Sequence, residues 1–509
     1  MLSRMRALRQ AVTVFTLPIA IAALSCKSDG ASANEAPASV TFPNAFMWGT
    51  ATAAFQIEKG DVHTDWGHWV ALSPSKIKNA DTPDVGGPDA LDHIDGDIAL
   101  MQQMGVNAYR LSIEWGRLFP TVDASNSGTP DPVALAIYDA EMQKLQSAHI
   151  TPMVTLQHFA LPDWLSDVNA PNDPQGWERP ETGDAFAKFC TFAGTHFGAQ
   201  VDWWVTINEP LVSVVTGYVQ GGSPPGVILG ATRAFAAAHA MIKAHARCYD
   251  ALHAADTVDA DGDGKAVWVS VAKHQRTFHP IDPSDSDDVA ATARVHYIWN
   301  QWFLNAVIRG DYDDDLDGNY TGPNDTVADP ALVGRMDYIG MNYYSDTLIG
   351  SSTGGIVIPV INATVQQDHL ATDRAKTDVA WDIYPEGLRT ILEQDIAPYH
   401  LPVVITENGI ADRSDANRPR FLAEHLYQLG WAIKDGVDVR GYFHWSLMDN
   451  FEWQNGFCPK FGFASVDATS GVRTLRASGS KFQAIISAKK VATADIDALP
   501  PYAAPSFCE

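Results

Sequence analysis

Positive charge is what this 509-residue chain lacks: 35 Lys and Arg stand against 61 Asp and Glu, a formal net charge of −26. Such a surface repels phosphate backbones, so nucleic acid is not an expected partner. Cysteine is scarce, with five in all, and no two have the spacing of zinc ligands. Glycine and proline, at 38 and 30, are too few for a collagen-like or low-complexity chain. No short internal repeat occurs, and no linker interrupts the sequence between about 41 and 490. What is present is a globular balance: 46% hydrophobic and 19% charged residues exclude disorder of the whole chain. The 15 Trp and 21 Phe are generous. Any one of them is most simply a core residue, although aromatics also line carbohydrate sites.

Arg4, Arg6 and Arg9 precede an apolar run from Ala11 to Leu24, too short to span a bilayer comfortably. A basic segment followed by such a run reads as an export signal over residues 1–26. The run ends in Ala23-Leu24-Ser25-Cys26, which resembles the bacterial lipoprotein box and implies lipidation of Cys26, with Ala23 where Leu, Val or Ile is usual. The alternative is ordinary cleavage near Ala31 or Ala33. Residues 27–40 read as a flexible linker. The expected location is the bacterial cell envelope, lipid-anchored in the periplasm or on the cell surface, or else the medium; any membrane contact is through the lipid alone. Export permits disulfides, and Cys190, Cys248, Cys458 and Cys508 allow three pairings that the sequence does not rank.

From Thr41 onward, apolar runs alternate with helix-length segments: Phe46–Gly49, Ala108–Ser112, Thr151–Leu156, Trp203–Ile207, Ala266–Val271, Tyr338–Met341, Val403–Thr406 and Val439–Trp445. Continuous apolar runs are the mark of parallel strands buried on both faces. Eight of them predict a single (β/α)8 TIM barrel over 41–490, followed by a C-terminal tail, 491–509. In such a barrel the active site lies at the C-terminal ends of the strands. Glu209 follows the fourth run and Glu407 the seventh. A lone Glu at a strand end is most often a charge near a helix N-terminus. Two of them across one barrel mouth are what glycosidic bond cleavage needs, a proton donor and a nucleophile or base.

Five segments then carry a resemblance. They are Phe46–Glu58 (FMWGTATAAFQIE), Thr206-Ile207-Asn208-Glu209-Pro210, Asp337–Tyr344 (DYIGMNYY), Ile405-Thr406-Glu407-Asn408-Gly409, and His444–Trp453 (HWSLMDNFEW) with Phe461-Gly462-Phe463. In this order and spacing the chain resembles glycoside hydrolase family 1, the β-glucosidase and β-galactosidase family. The segment Tyr109–Trp115, with Glu114 before the Trp, resembles the archaeal β-glycosidase branch.

The resemblance implies a retaining exo-β-glycosidase that releases terminal β-D-glucosyl residues, with galactosyl and fucosyl groups as further substrates, and that requires no cofactor. It makes Glu209 the acid/base and Glu407 the nucleophile, with Arg110 and Tyr344 orienting Glu407 and keeping it ionised. Burial and the nearby Glu407 charge would raise the pKa of Glu209, keeping it protonated for the first step. Gln56, His158, Asn208, Asn342, Glu452 and Trp453 match the sugar-binding set, with Trp445 as stacking platform. Trp381 and Phe461 fall on the leaving-group side. Glu452-Trp453 stands where enzymes of the family that cleave 6-phosphosugars have smaller residues and a Lys, which implies an unphosphorylated substrate, a β-glucoside or short β-linked oligosaccharide. Phe159-Ala160 departs from the usual Trp-Asp, and Asn305-Ala306 from the usual Asp-Pro.

Two acidic segments lie outside this pattern. Asp259, Asp261 and Asp263 precede Gly264 with Gly262 between, and Asp313, Asp315 and Asp317 precede Gly318. Both have the alternating acids that open a calcium loop, but the twelfth positions, Ser270 and Asn324, lack its bidentate Glu. They are candidate structural calcium sites; the plainer reading is a solvated acidic loop. Competing readings of the whole chain are a transglycosylase using the same intermediate, a non-catalytic surface carbohydrate-binding barrel, and a calcium-dependent structural lipoprotein. The gluco/galacto preference, the aglycone and the oligomeric state stay open.

Overall fold

A computed structural model describes residues 35–351, 356–358, 363–365 and 374–508. The export signal and Cys26 lie outside the described residues. In chain order the strands are β1 (Ser39–Thr41), β2 (Met47–Ala51), β3 (Ala108–Ser112), β4 (Thr151–Gln157), β5 (Trp203–Asn208), β6 (Trp268–Pro280) and β7 (Ile339–Gly350). There follow β8 (Ile356–Ile358), β9 (Ala363–Val365), β10 (Val403–Asn408), β11 (Val439–Trp445), β12 (Ala464–Val466), β13 (Arg473–Leu475) and β14 (Lys490–Ala492).

Eight parallel strands close a (β/α)8 barrel in the order β10-β11-β2-β3-β4-β5-β6-β7, with β7 pairing back onto β10. Every residue of β3, β5 and β10 is buried, as the continuous apolar runs predict. Helices such as Pro132–Ser147, Pro180–Phe197, Ala231–Ala255 and Arg418–Lys434 pack outside the barrel. Their ends follow local chemistry. The Asp131 carboxylate accepts from Val133 and Ala134 N–H ahead of Pro132, and Gly105 ends Ala90–Met104 at φ 74°.

β6 and β7 differ most from expectation. β6 begins at Trp268 rather than Ala266, and both strands run past the barrel rim as a paired ribbon, to Pro280 and Gly350. Their outer halves are rich in polar residues (Lys273-His274-Gln275-Arg276, Asn342, Ser345-Asp346), so the apolar signal stops before the strands do.

The segments on either side of the expected barrel bounds pair with each other. Ser39–Thr41, assigned in part to the linker, pairs antiparallel with Lys490–Ala492. The tail is held against the helix Arg418–Lys434: Asn417 exchanges hydrogen bonds with the backbone of Ala503, and the Tyr502 hydroxyl donates to Glu424. Disulfides join Cys190 to Cys248 and Cys458 to Cys508, the second fastening the tail to the loop after β11.

Candidate active site

Glu209 and Glu407 leave the ends of β5 and β10 on opposite sides of the barrel mouth and line one cavity of about 240 Å³. Glu209 has a left-handed backbone (φ 44°), a conformation that costs a non-glycine residue on the order of 1 kcal/mol or more. It is fixed by its N–H donating to Ala272 O at 2.8 Å and by Pro210 opening the next helix. The residue after Glu407 is held through its side chain: Asn408 Nδ2 donates to Tyr343 O, and its Oδ1 accepts from the Tyr442 hydroxyl.

The two carboxyl groups have different neighbours. Arg110, fully buried in the middle of β3, forms an ion pair with Glu407 Oε1 at 2.5 Å, and the Tyr344 hydroxyl donates to Oε2 at 2.6 Å. Among the described residues Glu209 receives one side-chain N–H, from Asn342 Nδ2 at 2.8 Å. Burial, with the Glu407 charge second, pushes the Glu209 carboxyl up from 4.5 to about 8. At neutral pH this arrangement offers a protonated carboxylic acid, Glu209, facing a carboxyl group held by Arg110 and Tyr344.

The amide of Asn208 ties the parts together. Arg110 can only donate, and its Nη2 meets Asn208 Oδ1 at 2.7 Å, so the Asn208 NH2 must face the other way, toward His158 Nε2 at 3.1 Å. Burial holds His158 well below its usual pKa, so the ring is neutral. A neutral ring that accepts at Nε2 carries its proton on Nδ1, and that buried atom has no partner among the described residues. His158 therefore presents a spare donor in a wall of the cavity.

Gln56 lies behind Glu452. Its Nε2 donates to Asn450 Oδ1, Phe451 O and Glu452 Oε2, and its buried Oε1 has no partner among the described residues. Glu452 also accepts from Trp445 Nε1 at 3.3 Å, and burial raises its carboxyl to about 8. Aromatic rings wall the cavity. Trp445 and Trp453 stack beside His158, with Phe159 edge-on to Trp453. Tyr344, Trp381 and Phe461 meet with ring centroids 5.6–6.3 Å apart.

Of the residues expected from the sequence, ten line this cavity: His158, Asn208, Glu209, Tyr344, Trp381, Glu407, Trp445, Glu452, Trp453 and Phe461. Arg110 and Asn342 stand beneath it as hydrogen-bonding supports and Gln56 behind it, rather than in its lining. Sequence reasoning missed Trp66, which packs on Trp453 at 4.6 Å, and the polar rim from Ser213, Thr216, Gln454 and Asn455. It also missed Lys273, wholly buried beneath Glu209, which donates to His274 O and Trp299 O; burial lowers its amine to about 7 against the pull of the Glu209 charge. A lone cation interrupting the run Val271-Ala272 was the available signal.

Neither acidic segment lines the cavity. Carboxylate oxygens of Asp313, Asp315 and Asp317 do converge. In the other segment Asp259 and Asp261 group with Asp202, not with Asp263, whose carboxylate is taken by Trp268 Nε1 and Lys265 N–H.

Comparison with known proteins agrees with this geometry. Residues 38–491 match the glycosyl hydrolase family 1 model. A β-galactosidase from Pyrococcus woesei is 34% identical over 86% of this chain and 94% of its own, and β-glucosidase A from Thermotoga maritima is 32% identical over 87% and 97%. The structure of the T. maritima family 1 β-glucosidase superposes with a TM-score of 0.76 at 30% identity, covering 89% of this chain and 99% of that one. The chain belongs to glycosyl hydrolase family 1. It is a β-glycosidase, a hydrolase of O-glycosyl bonds that needs no cofactor.

Proposed function

We propose that the protein is a retaining exo-β-glycosidase acting on terminal, unphosphorylated β-D-glucosyl residues, with galactosyl and fucosyl groups as secondary substrates. The observation that carries this reading is the unlike treatment of the two carboxyl groups: Glu209 is raised to about 8 while Glu407 is held by Arg110 and Tyr344. Glu407 attacks the anomeric carbon while Glu209 gives its proton to the departing oxygen, leaving a glycosyl ester on Glu407. Esterification removes the Glu407 charge, which lowers the pKa of Glu209 and suits it to take a proton from the incoming water. The water's oxygen bonds to the anomeric carbon and frees Glu407. His158 Nδ1–H, which has no partner among the described residues, supplies a donor for a sugar hydroxyl in the cavity wall, and Asn208 is placed for the 2-hydroxyl.

One relative, 31% identical, is an aryl-phospho-β-D-glucosidase from Bacillus subtilis. Among the described residues lining this cavity there is no Lys or Arg to pair with a phosphate. The T. maritima enzyme has been solved with both glucoimidazole and galacto-hydroximolactam, which supports a site tolerant at the 4-hydroxyl. Export, with lipidation at Cys26, is part of the same proposal. It rests on residues 1–26, and the two disulfides, typical of oxidising compartments, support it.

The test is initial rates on nitrophenyl β-glucoside, β-galactoside, β-fucoside and β-mannoside, with Glu407→Gln alongside. Cleavage with β-glucoside fastest, and a loss of several orders of magnitude in the variant, is expected. Equal rates in the variant would remove Glu407 as nucleophile, and product with inverted anomeric configuration would remove the retaining mechanism.

A further inference from the structure

The loop between the helical turn Asn305–Arg309 and β7 has a feature that catalysis does not use. It closes through mutual backbone hydrogen bonds between Tyr312 and Thr326, and it holds the sequence Asp313-Asp314-Asp315-Leu316-Asp317-Gly318. One carboxylate oxygen from each of Asp313, Asp315 and Asp317 lies within 4.8 Å of the other two. Oxygens sharing one calcium ion at 2.3–2.6 Å cannot be more than about 5 Å apart, so the three fit one coordination sphere.

Asp313 differs from an ordinary surface acid. It is fully buried, and its Oδ2 is taken by the Tyr297 hydroxyl at 2.6 Å and by Gly318 N–H at 2.8 Å. Its Oδ1 is also buried and has no hydrogen-bond partner among the described residues. A buried, unpaired carboxylate oxygen is costly, and a cation shared with Asp315 and Asp317 removes that cost. Gly318, at φ 82°, makes the sharp turn that follows the third acid.

The second acidic loop makes the contrast. There the buried member is Asp202, and Ala260 and Asp261 N–H occupy both of its oxygens. Asp259 accepts from Gly262 and Gly264 N–H, and Asp261 from Asp263 N–H and Trp203 Nε1. That loop satisfies its own carboxylates.

We propose that Asp313, Asp315 and Asp317 bind one calcium ion and that the 259–264 loop binds none. Calcium is favoured over magnesium because the donors are carboxylates in a loop, alternating and followed by glycine, which suits a flexible coordination sphere rather than a strict octahedron. The ion's role is structural. Asp313 also accepts from Trp302 Nε1 through its backbone oxygen, so the loop is fastened to the helical turn Tyr297–Trp302, which holds Lys273 and His274 through Trp299.

The experiment uses the chelator-treated full-length protein, titrated calorimetrically with calcium chloride and melted with and without it. Three forms are compared: wild type, Asp315→Asn/Asp317→Asn, and Asp259→Asn/Asp261→Asn. Both pairs are exposed, so each variant is expected to fold. One calcium per chain is expected in the wild type and in the 259/261 variant, with a rise in Tm of about 3 °C at a hundredfold excess over Kd. Binding and the Tm rise should both vanish in the 315/317 variant. No calcium binding to the wild type, binding that survives in the 315/317 variant, or binding lost in the 259/261 variant would each overturn the proposal.

Discussion

Replacing Glu209 by Gln should stabilise the protein in alkaline solution while abolishing its acid chemistry. The substitution keeps the shape and leaves an oxygen for the Asn342 N–H that reaches Oε1 at 2.8 Å. What it removes is ionisation. The folded state binds the Glu209 proton up to about pH 8, whereas the unfolded chain releases it near 4.5. Between those values the unfolded state holds fewer protons, so stability falls as pH rises through this window and the penalty is complete above 8. A shift from 4.5 to about 8, at 1.36 kcal/mol per unit, sets a ceiling of about 5 kcal/mol. For roughly 470 folded residues the unfolding entropy is about 1 kcal/mol per degree, so that ceiling is about 5 °C in Tm. Thermal unfolding of wild type and Glu209→Gln at pH 5 and pH 8.5 is the assay. The variant should melt within about a degree of wild type at pH 5 and about 3–5 °C above it at pH 8.5. Other groups titrating in the window, such as Glu452 near 8, are common to both proteins and largely cancel in the difference. A gap that does not change with pH, or one that narrows as pH rises, would refute the reasoning.

Tyr344→Phe removes the hydroxyl bonded to Glu407 Oε2, a charge-assisted bond worth about 1.5–3 kcal/mol; kcat/KM should drop about 10- to 150-fold with the Tm little changed. Gly409→Ala should cost nearly all activity, measured as kcat, because a Cβ there would collide with the Trp445 carbonyl oxygen and displace the strand ends that carry Glu407 and the stacking Trp. Replacing both Cys190 and Cys248 by Ala opens a covalent loop spanning 58 residues; denaturant unfolding should show a loss of about 4 kcal/mol, with kcat unchanged.

The barrel was legible because its strands are buried on both faces and therefore read as apolar runs; β3 and β11 have the bounds expected from the sequence. β6 and β7 were read too short because their outer halves carry the polar residues that surround the site, and those residues hide the strand signal. The candidate site was legible where a family motif covered it. The parts that no motif covered come from packing between distant segments, as with Trp66 against Trp453, or from a side chain whose importance depends on burial, as with Lys273. The disulfides were not legible, because four cysteines have three pairings and only the fold brings Cys190 onto Cys248 and Cys458 onto Cys508.

One chain of hydrogen bonds divides the Arg110 guanidinium unequally between the two carboxyl groups. Arg110 sits in the middle of β3, reaches residues of both β5 and β10, and divides its donors: Nη1 goes to Glu407 and Nη2 to Asn208. Asn208 is the residue before Glu209, yet its amide passes nothing from Arg110 to that carboxyl. Its Oδ1 is occupied by Arg110 and Asn342, and its NH2 turns to His158. Glu209 is left with the neutral N–H of Asn342, whose own Oδ1 is held by Thr406, the residue before Glu407. The guanidinium charge is thus spent directly on one carboxyl and reaches the other only at a distance, through a neutral amide. Moving that cation, for instance by Arg110→Lys, would lose the forked geometry that serves Glu407 and Asn208 together. It would disturb the nucleophile, the His158 tautomer and the acid at once, so its damage should exceed that of Tyr344→Phe, which touches Glu407 alone.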